Sequence, residues 1–163
     1  MSDNRAIEIL KKALLLEKES QSFYSKEAEL AEHESVRNIF NLMAEEEKNH
    51  ENVLLSEYNQ YLKDGNFFHN DDLGEHSEFY DHVLSDDVKD EIRQASHEAE
   101  AISAGIGLER RTIELYADRA EATDDPMERE LFVKLKNQEK DHLKYLSDLH
   151  RRILESRFFD GVE

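Results

Sequence analysis

The chain contains no cysteine, one proline and five glycines in 163 residues. Without cysteine these residues can form no disulfide, no thiolate metal site, no iron–sulfur cluster and no Cys-x-x-Cys iron site. With so little Gly and Pro, and 37% of its residues charged, the chain runs for long stretches without turn signals. That argues for an all-α protein and leaves strands almost nowhere to form. Positive charge is scarce as well: 21 Lys and Arg face 39 Asp and Glu, a formal net charge of -18. Such a balance disfavours nucleic acid and anionic membrane surfaces, and makes cations the natural small partners. Long apolar runs are also missing. Ala13-Leu14-Leu15-Leu16 is bracketed by Lys11-Lys12 and Glu17-Lys18-Glu19, which is too short for a signal-peptide core or a membrane span. A cytoplasmic location is therefore expected, and the length suits a single domain, residues 1–163, with one core.

What the chain does contain, it contains twice. Glu17, Tyr24, Glu47 and His50 recur as Glu109, Tyr116, Glu139 and His142 at a constant offset of 92. The same offset pairs Ala28 with Ala120, Phe40 with Phe132, Met43 with Leu135, Lys48 with Lys140 and Leu54 with Leu146. Two copies of one helical hairpin are the expected building plan.

Periodicity and punctuation place four helices, at about residues 3–31, 35–62, 86–123 and 126–156. The first carries Ile7, Leu10, Leu14, Glu17, Gln21, Tyr24, Ala28 and Ala31 at alternating steps of three and four, the stripe of a bundle helix. Glu32-His33-Glu34 forms the turn, and Ser35 is the expected cap of the second helix, whose stripe is Val36, Phe40, Met43, Glu47, His50, Leu54, Glu57 and Tyr61. Residues 64–85, with Gly65, Gly74, His69, His76 and His82, read as a long crossover. Ser85 with Asp86 and Asp87 then starts the third helix, striped by Ala95, Glu98, Ile102, Gly105, Glu109, Ile113, Tyr116 and Ala120. Asp125 followed by Pro126 starts the fourth, striped by Phe132, Leu135, Glu139, His142, Leu146, Leu149 and Ile153. The tail from Arg157 to Glu163 reads as loosely specified.

Spacing becomes geometry through the helical rise. Residue 32, midway between Glu17 and Glu47, and residue 124, midway between Glu109 and Glu139, both fall in the expected turns, so each Glu pair sits at one height, roughly 22 Å from its turn. A crossover of about twenty residues reaches up to roughly 66 Å, enough to let the second hairpin pack upside down on the first and bring all four carboxylates together at mid-bundle. His50 and His142 lie one turn beyond Glu47 and Glu139 on the same face. A Glu plus a Glu-x-x-His, duplicated, is the ligand set of a carboxylate-bridged two-metal centre in a four-helix bundle. Four carboxylates nearly neutralise two divalent ions, and an oxygen-rich set with an imidazole for each suits iron first and manganese second, rather than structural zinc. One Glu-x-x-His inside an acidic run such as Glu45-Glu46-Glu47 would read as a solvated face. Four Glu and two His on core faces would not, because burying them without a cation costs several kcal/mol per charge.

Other residues have open readings. Tyr24 and Tyr116 either hydrogen-bond to a ligand carboxylate or fill the core with the hydroxyl satisfied. Gly105 and Gly107 either admit close helix packing or leave an access path. Glu57 and Glu98 read as bundle-end residues and the linker histidines as solvated loop. Partners that orient the histidine ligands are expected, but the sequence does not single them out.

With Leu16-Glu17-Lys18-Glu19, Phe23-Tyr24 and Met43-Ala44-Glu45-Glu46-Glu47-Lys48-Asn49-His50 in view, the chain resembles the ferritin-like superfamily and, within it, the rubrerythrin-type di-iron domain, over about residues 5 to 155. The resemblance implies an antiparallel four-helix bundle in which Glu17, Glu47, His50, Glu109, Glu139 and His142 hold two irons, with Glu47 and Glu139 bridging. Glu47, Glu139, Tyr24 and Tyr116 are the candidate catalytic residues. It further implies oxidation of a diferrous centre by hydrogen peroxide or oxygen, and a homodimer. Two positions depart from the family pattern. The cysteine-ligated rubredoxin module is missing, so turnover would need an external electron donor such as a rubredoxin-like protein, and Thr112 stands where rubrerythrins proper carry a further carboxylate. Peroxide reduction is the leading expectation, a ferroxidase or iron-handling role the second, and a metal-stabilised helical scaffold the third.

Overall fold

The computed structural model describes residues 4–69, 73 and 98–160. Among these residues four helices occur, α1 (Asn4–Leu30), α2 (Glu34–Asp64), α3 (Ala99–Ala122) and α4 (Pro126–Asp160). No strand occurs among the described residues. Two antiparallel hairpins, α1 with α2 and α3 with α4, pack α1 against α3. Most of the crossover, the Ser85 start of the third helix, Ala95, His76 and His82 lie outside the described residues. Among those described, no helix is long and apolar enough to cross a membrane.

The apolar interior is divided in two. One cluster gathers Tyr24 and Ala28 from α1, Val36 and Phe40 from α2, Ile102 from α3 and Leu146 and Leu149 from α4. The other gathers Leu10 and Ala13, Val53 and Leu54, Tyr116 and Ala120, and Phe132 and Leu135. Each cluster joins the turn end of one hairpin to the open end of the other, so the second hairpin is inverted on the first, as the spacing required. Between the clusters lies the level of Glu17, Glu47, Glu109 and Glu139.

Helix ends follow local chemistry in two places and tertiary contacts in a third. Asp125 Oδ1 accepts hydrogen bonds from the backbone N–H of Met127 at 2.9 Å and Glu128 at 3.4 Å, with Pro126 opening α4 as expected. Gly65, at φ 74°, donates its N–H to the Tyr61 carbonyl and stops α2 in the left-handed conformation that glycine adopts without strain. Ser35, the expected cap of α2, is instead buried inside that helix, and the cap position is His33, whose side chain makes no capping bond. The turn is held from elsewhere. Arg37 Nη2 donates to the Ala31 carbonyl at 2.8 Å, and the Glu32 N–H donates to Glu98 Oε1 at 2.9 Å. Helix α4 runs to Asp160 rather than 156, since no Gly or Pro intervenes before Gly161. On α1 the stripe is centred on Ala6, Leu10, Ala13, Glu17, Ser20 and Tyr24, leaving Ile7, Leu14 and Gln21 half-buried at its edge. On α3 Ile113 is likewise half-buried, and Thr112 takes the interior.

Candidate metal centre

Each helix delivers its carboxylate at mid-length because the hairpin turns fall where the spacing placed them. Glu17, Glu47, His50, Glu109, Glu139 and His142 are all 0–1% exposed. Their donor atoms form two groups, Glu17, Glu47, His50 and Glu139, and Glu47, Glu109, Glu139 and His142, in each of which one atom per residue lies within 4.8 Å of all the others. Glu47 and Glu139 belong to both groups.

The histidines face one another across this plane, their rings 5.9 Å apart and nearly parallel at 14°. His50 Nδ1 lies 2.7 Å from Glu139 Oε1 and 3.5 Å from both Glu17 and Glu47. His142 Nδ1 lies 2.9 Å from Glu47 and 3.4 Å from both Glu109 and Glu139. Both Nδ1 atoms therefore point at the carboxylates, and both Nε2 atoms point away. His50 Nε2 meets Gln138 Oε1 at 2.6 Å, and His142 Nε2 meets Glu46 Oε2. Acceptors at Nε2 hold that ring N–H outward and keep Nδ1 directed at the carboxylates, the orientation that a partner of a metal-ligating histidine imposes.

The tyrosines resolve their open reading by crossing over. Tyr24 on α1 donates to Glu109 Oε1 on α3 at 2.5 Å, and Tyr116 on α3 donates to Glu17 Oε1 on α1. Each also packs against the core aromatic of its own hairpin, Tyr24 on Phe40 at 6.0 Å and Tyr116 on Phe132 at 5.6 Å. Gly105 faces this contact: a Cβ there would lie 3.2 Å from Leu146 Cδ1 and 3.3 Å from the Tyr24 hydroxyl and Cε1. It serves close packing, not a path. Gly107 faces open space. Thr112, where a further carboxylate would complete the family pattern, bonds its own backbone, Oγ1 donating to the Leu108 carbonyl at 3.1 Å.

Without cations the centre is electrostatically overloaded. Burial raises Glu47 from 4.5 to about 8, and the charges of Glu17 and Glu109 push the same way. Burial likewise pushes Glu109 and Glu139 upward, each aided by neighbouring carboxylates. Glu17 is the exception: burial opposes its charge, but His50 and the hydrogen bonds from its neighbours bring it down to about 2. His50 in turn is held well above its ordinary value, against burial, by Glu17 and Glu139. Burial next to carboxylates also keeps both tyrosines firmly protonated, as hydrogen-bond donors must be. The buried Oε2 atoms of Glu17, Glu47 and Glu109 have no hydrogen-bond partner. Buried carboxyl oxygens without partners, gathered around two inward-pointing imidazole Nδ1 atoms, fit two divalent cations, which would displace the protons this burial holds and supply the missing partners together.

Glu57 and Glu98 lie away from the site level, as expected, and both are buried. Glu57 is fully buried and accepts the Phe68 N–H at 3.2 Å, while Glu98 holds the first hairpin turn. His69 is exposed and pairs with Glu130 at 3.1 Å. A cavity of about 270 Å³ lined in part by Tyr61, Phe67, Arg119 and Asp125 sits at a bundle end, and none of the six candidate ligands lines it. Sequence reasoning did not find Glu46 and Gln138, although the offset of 92 relates them.

Inverted helical hairpins around two carboxylate–histidine groups with two shared carboxylates define a ferritin-like bundle with a buried site suited to two metals. The family model for rubrerythrin matches residues 8–150, and the chain belongs to the rubrerythrin family. Neither the search of curated proteins nor that of solved structures returned a match.

Proposed function

We propose that the chain is a non-haem di-iron oxidoreductase that reduces hydrogen peroxide and is re-reduced by an external donor, such as a rubredoxin-like protein. The observation that carries this reading is the pair of ligand groups that share Glu47 and Glu139 and are closed off from solvent. Glu17 and His50 would serve one iron, Glu109 and His142 the other, and Glu47 and Glu139 would bridge them. When bound, two ferrous ions supply the two electrons that, with two protons, reduce one hydrogen peroxide to two waters. Tyr24 and Tyr116 hold one oxygen each of Glu109 and Glu17, and the second oxygen of each, which has no hydrogen-bond partner, would remain available to an ion. Apolar clusters on both sides exclude bulk water from the carboxylate plane, and so strengthen every charge interaction within it.

Burial of all six ligands supports iron that stays bound between turnovers, and this sets peroxide reduction ahead of a ferroxidase that releases iron as product. The deciding experiment mixes anaerobic Fe(II)-loaded protein rapidly with hydrogen peroxide and, separately, with oxygen, following absorbance. Faster oxidation by peroxide, with two irons retained per chain and reducible again, is expected. Preferential reaction with oxygen and loss of ferric iron would replace this reading with the ferroxidase, and failure to load iron would end both.

A further inference from the structure

The duplicated halves match at every ligand, yet differ in what stands behind the histidines. His142 Nε2 donates to a carboxylate, Glu46, whereas His50 Nε2 donates to a neutral amide oxygen, Gln138 Oε1, at 2.6 Å. Glu46 and Gln138 are both largely buried and occupy equivalent places, each immediately before a shared carboxylate, Glu47 or Glu139. Geometry is therefore nearly the same on the two sides and charge is not. A carboxylate accepting the ring N–H draws the proton toward itself and enriches Nδ1 as a donor, besides adding a negative charge close to the ion. An amide oxygen fixes the ring without either effect.

We propose that Glu46 and Gln138 are positioning residues that make the two metal positions unequal, so that the position served by His142 and Glu109 binds a divalent cation first and the position served by His50 and Glu17 second. The inference rests on the two-metal reading of the site. It assigns direction to a centre whose ligands alone are symmetric: the Glu46 side is the stronger electron donor, and an ion there holds the higher oxidation state more readily.

Two cations sharing carboxylates repel, so stepwise filling by itself decides nothing, and the order of filling has to be read. The test uses the whole chain, freed of metal and titrated with Zn(II), while the Nε2–H resonances of the two buried imidazoles are followed by NMR. A parallel calorimetric titration gives the affinity of each step. In the wild type, one equivalent should shift His142 and leave His50 largely unchanged. Glu46→Gln should weaken the first step about 10–100-fold and remove the preference. In the exchanged variant, Glu46→Gln with Gln138→Glu, the affinity of the first step should return and His50 should now respond first. That variant keeps composition and shape, so it guards against a fold defect in the single substitution. If the same histidine fills first in the wild type and the exchanged variant, or both fill together in the wild type, the inference is overturned while the two-metal reading stands. If the wild type binds no Zn(II) at these imidazoles, both fall.

Discussion

Glu57 offers the most direct way to test the electrostatics of this interior without touching the candidate metal ligands. Fully buried on α2, it accepts the Phe68 N–H through Oε2, and its Oε1 has no hydrogen-bond partner. Burial raises its pKa from 4.5 to about 7, opposed by the Phe68 hydrogen bond and aided by the charge of Asp125. Between those values the folded chain keeps a proton that the unfolded chain releases. The stabilising contribution is therefore complete below about pH 4.5 and is lost as pH rises through about 7. A shift from 4.5 to about 7 corresponds to about 3 kcal/mol. Glu57→Gln mimics the protonated side chain at every pH and retains an oxygen for the Phe68 N–H. It should match the parent near pH 4.5 and exceed it by about 3 kcal/mol near pH 8, which for a chain of this size raises the melting temperature by roughly 6–12 °C. Urea unfolding of metal-free protein, followed by helical circular dichroism at several pH values, measures this. Subtracting parent from variant cancels the titration of the site carboxylates that both share. A difference that stays flat with pH, or a variant weaker than its parent near pH 8, would refute the reasoning.

Further perturbations have defined outcomes. Gly105→Ala pushes a methyl group against Tyr24 and Leu146 and should destabilise by about 1–2 kcal/mol despite better helix propensity. Gly107→Ala meets nothing and should stabilise by up to about 1 kcal/mol, so thermal melts that rank the two the other way would contradict the packing described. Tyr116→Phe withdraws the donor from Glu17 and should cost about 1–3 kcal/mol in chemical denaturation of the metal-free protein, with Tyr24→Phe costing a similar amount through Glu109. Arg119→Met leaves Glu128 buried after losing its ion pair at 2.7 Å and should cost about 3–5 kcal/mol; a loss below about 1 kcal/mol would mean that water reaches the pair. Chelation of the loaded protein should lower the melting temperature reversibly, and an unchanged melt would separate metal binding from folding stability.

The buried carboxylate–histidine cluster was legible because duplication multiplies weak signals. One Glu-x-x-His is ambiguous, but two at the same distance from a preceding Glu and Tyr define faces, heights and turns, and helical rise then fixes where they meet. The same offset reached Glu46 and Gln138, yet an acidic run next to a ligand reads as solvent-facing until the partner helix is in place. What sequence could not supply came from other elements. The Ser35 cap gave way to Arg37 and Glu98, which stabilise the first turn from outside it. Ile7 and Leu14 yielded the centre of the α1 face to Ala6 and Ala13, because close helix approach favours small residues over apolar bulk. The tyrosines' acceptors were hidden for the same reason, since each lies on the opposite hairpin.

That exchange of hydroxyls has a consequence for how the molecule comes together. Each hairpin alone holds three of the four donors of one group, but its tyrosine has no carboxylate to clasp and its first carboxylate no tyrosine to clasp it, so neither group is complete until the halves dock. Docking and site formation are one event. A chain nicked in the crossover would regain its metal pocket only when both pieces find each other, and two identical hairpins, each lending the other its latch, would suffice to build it.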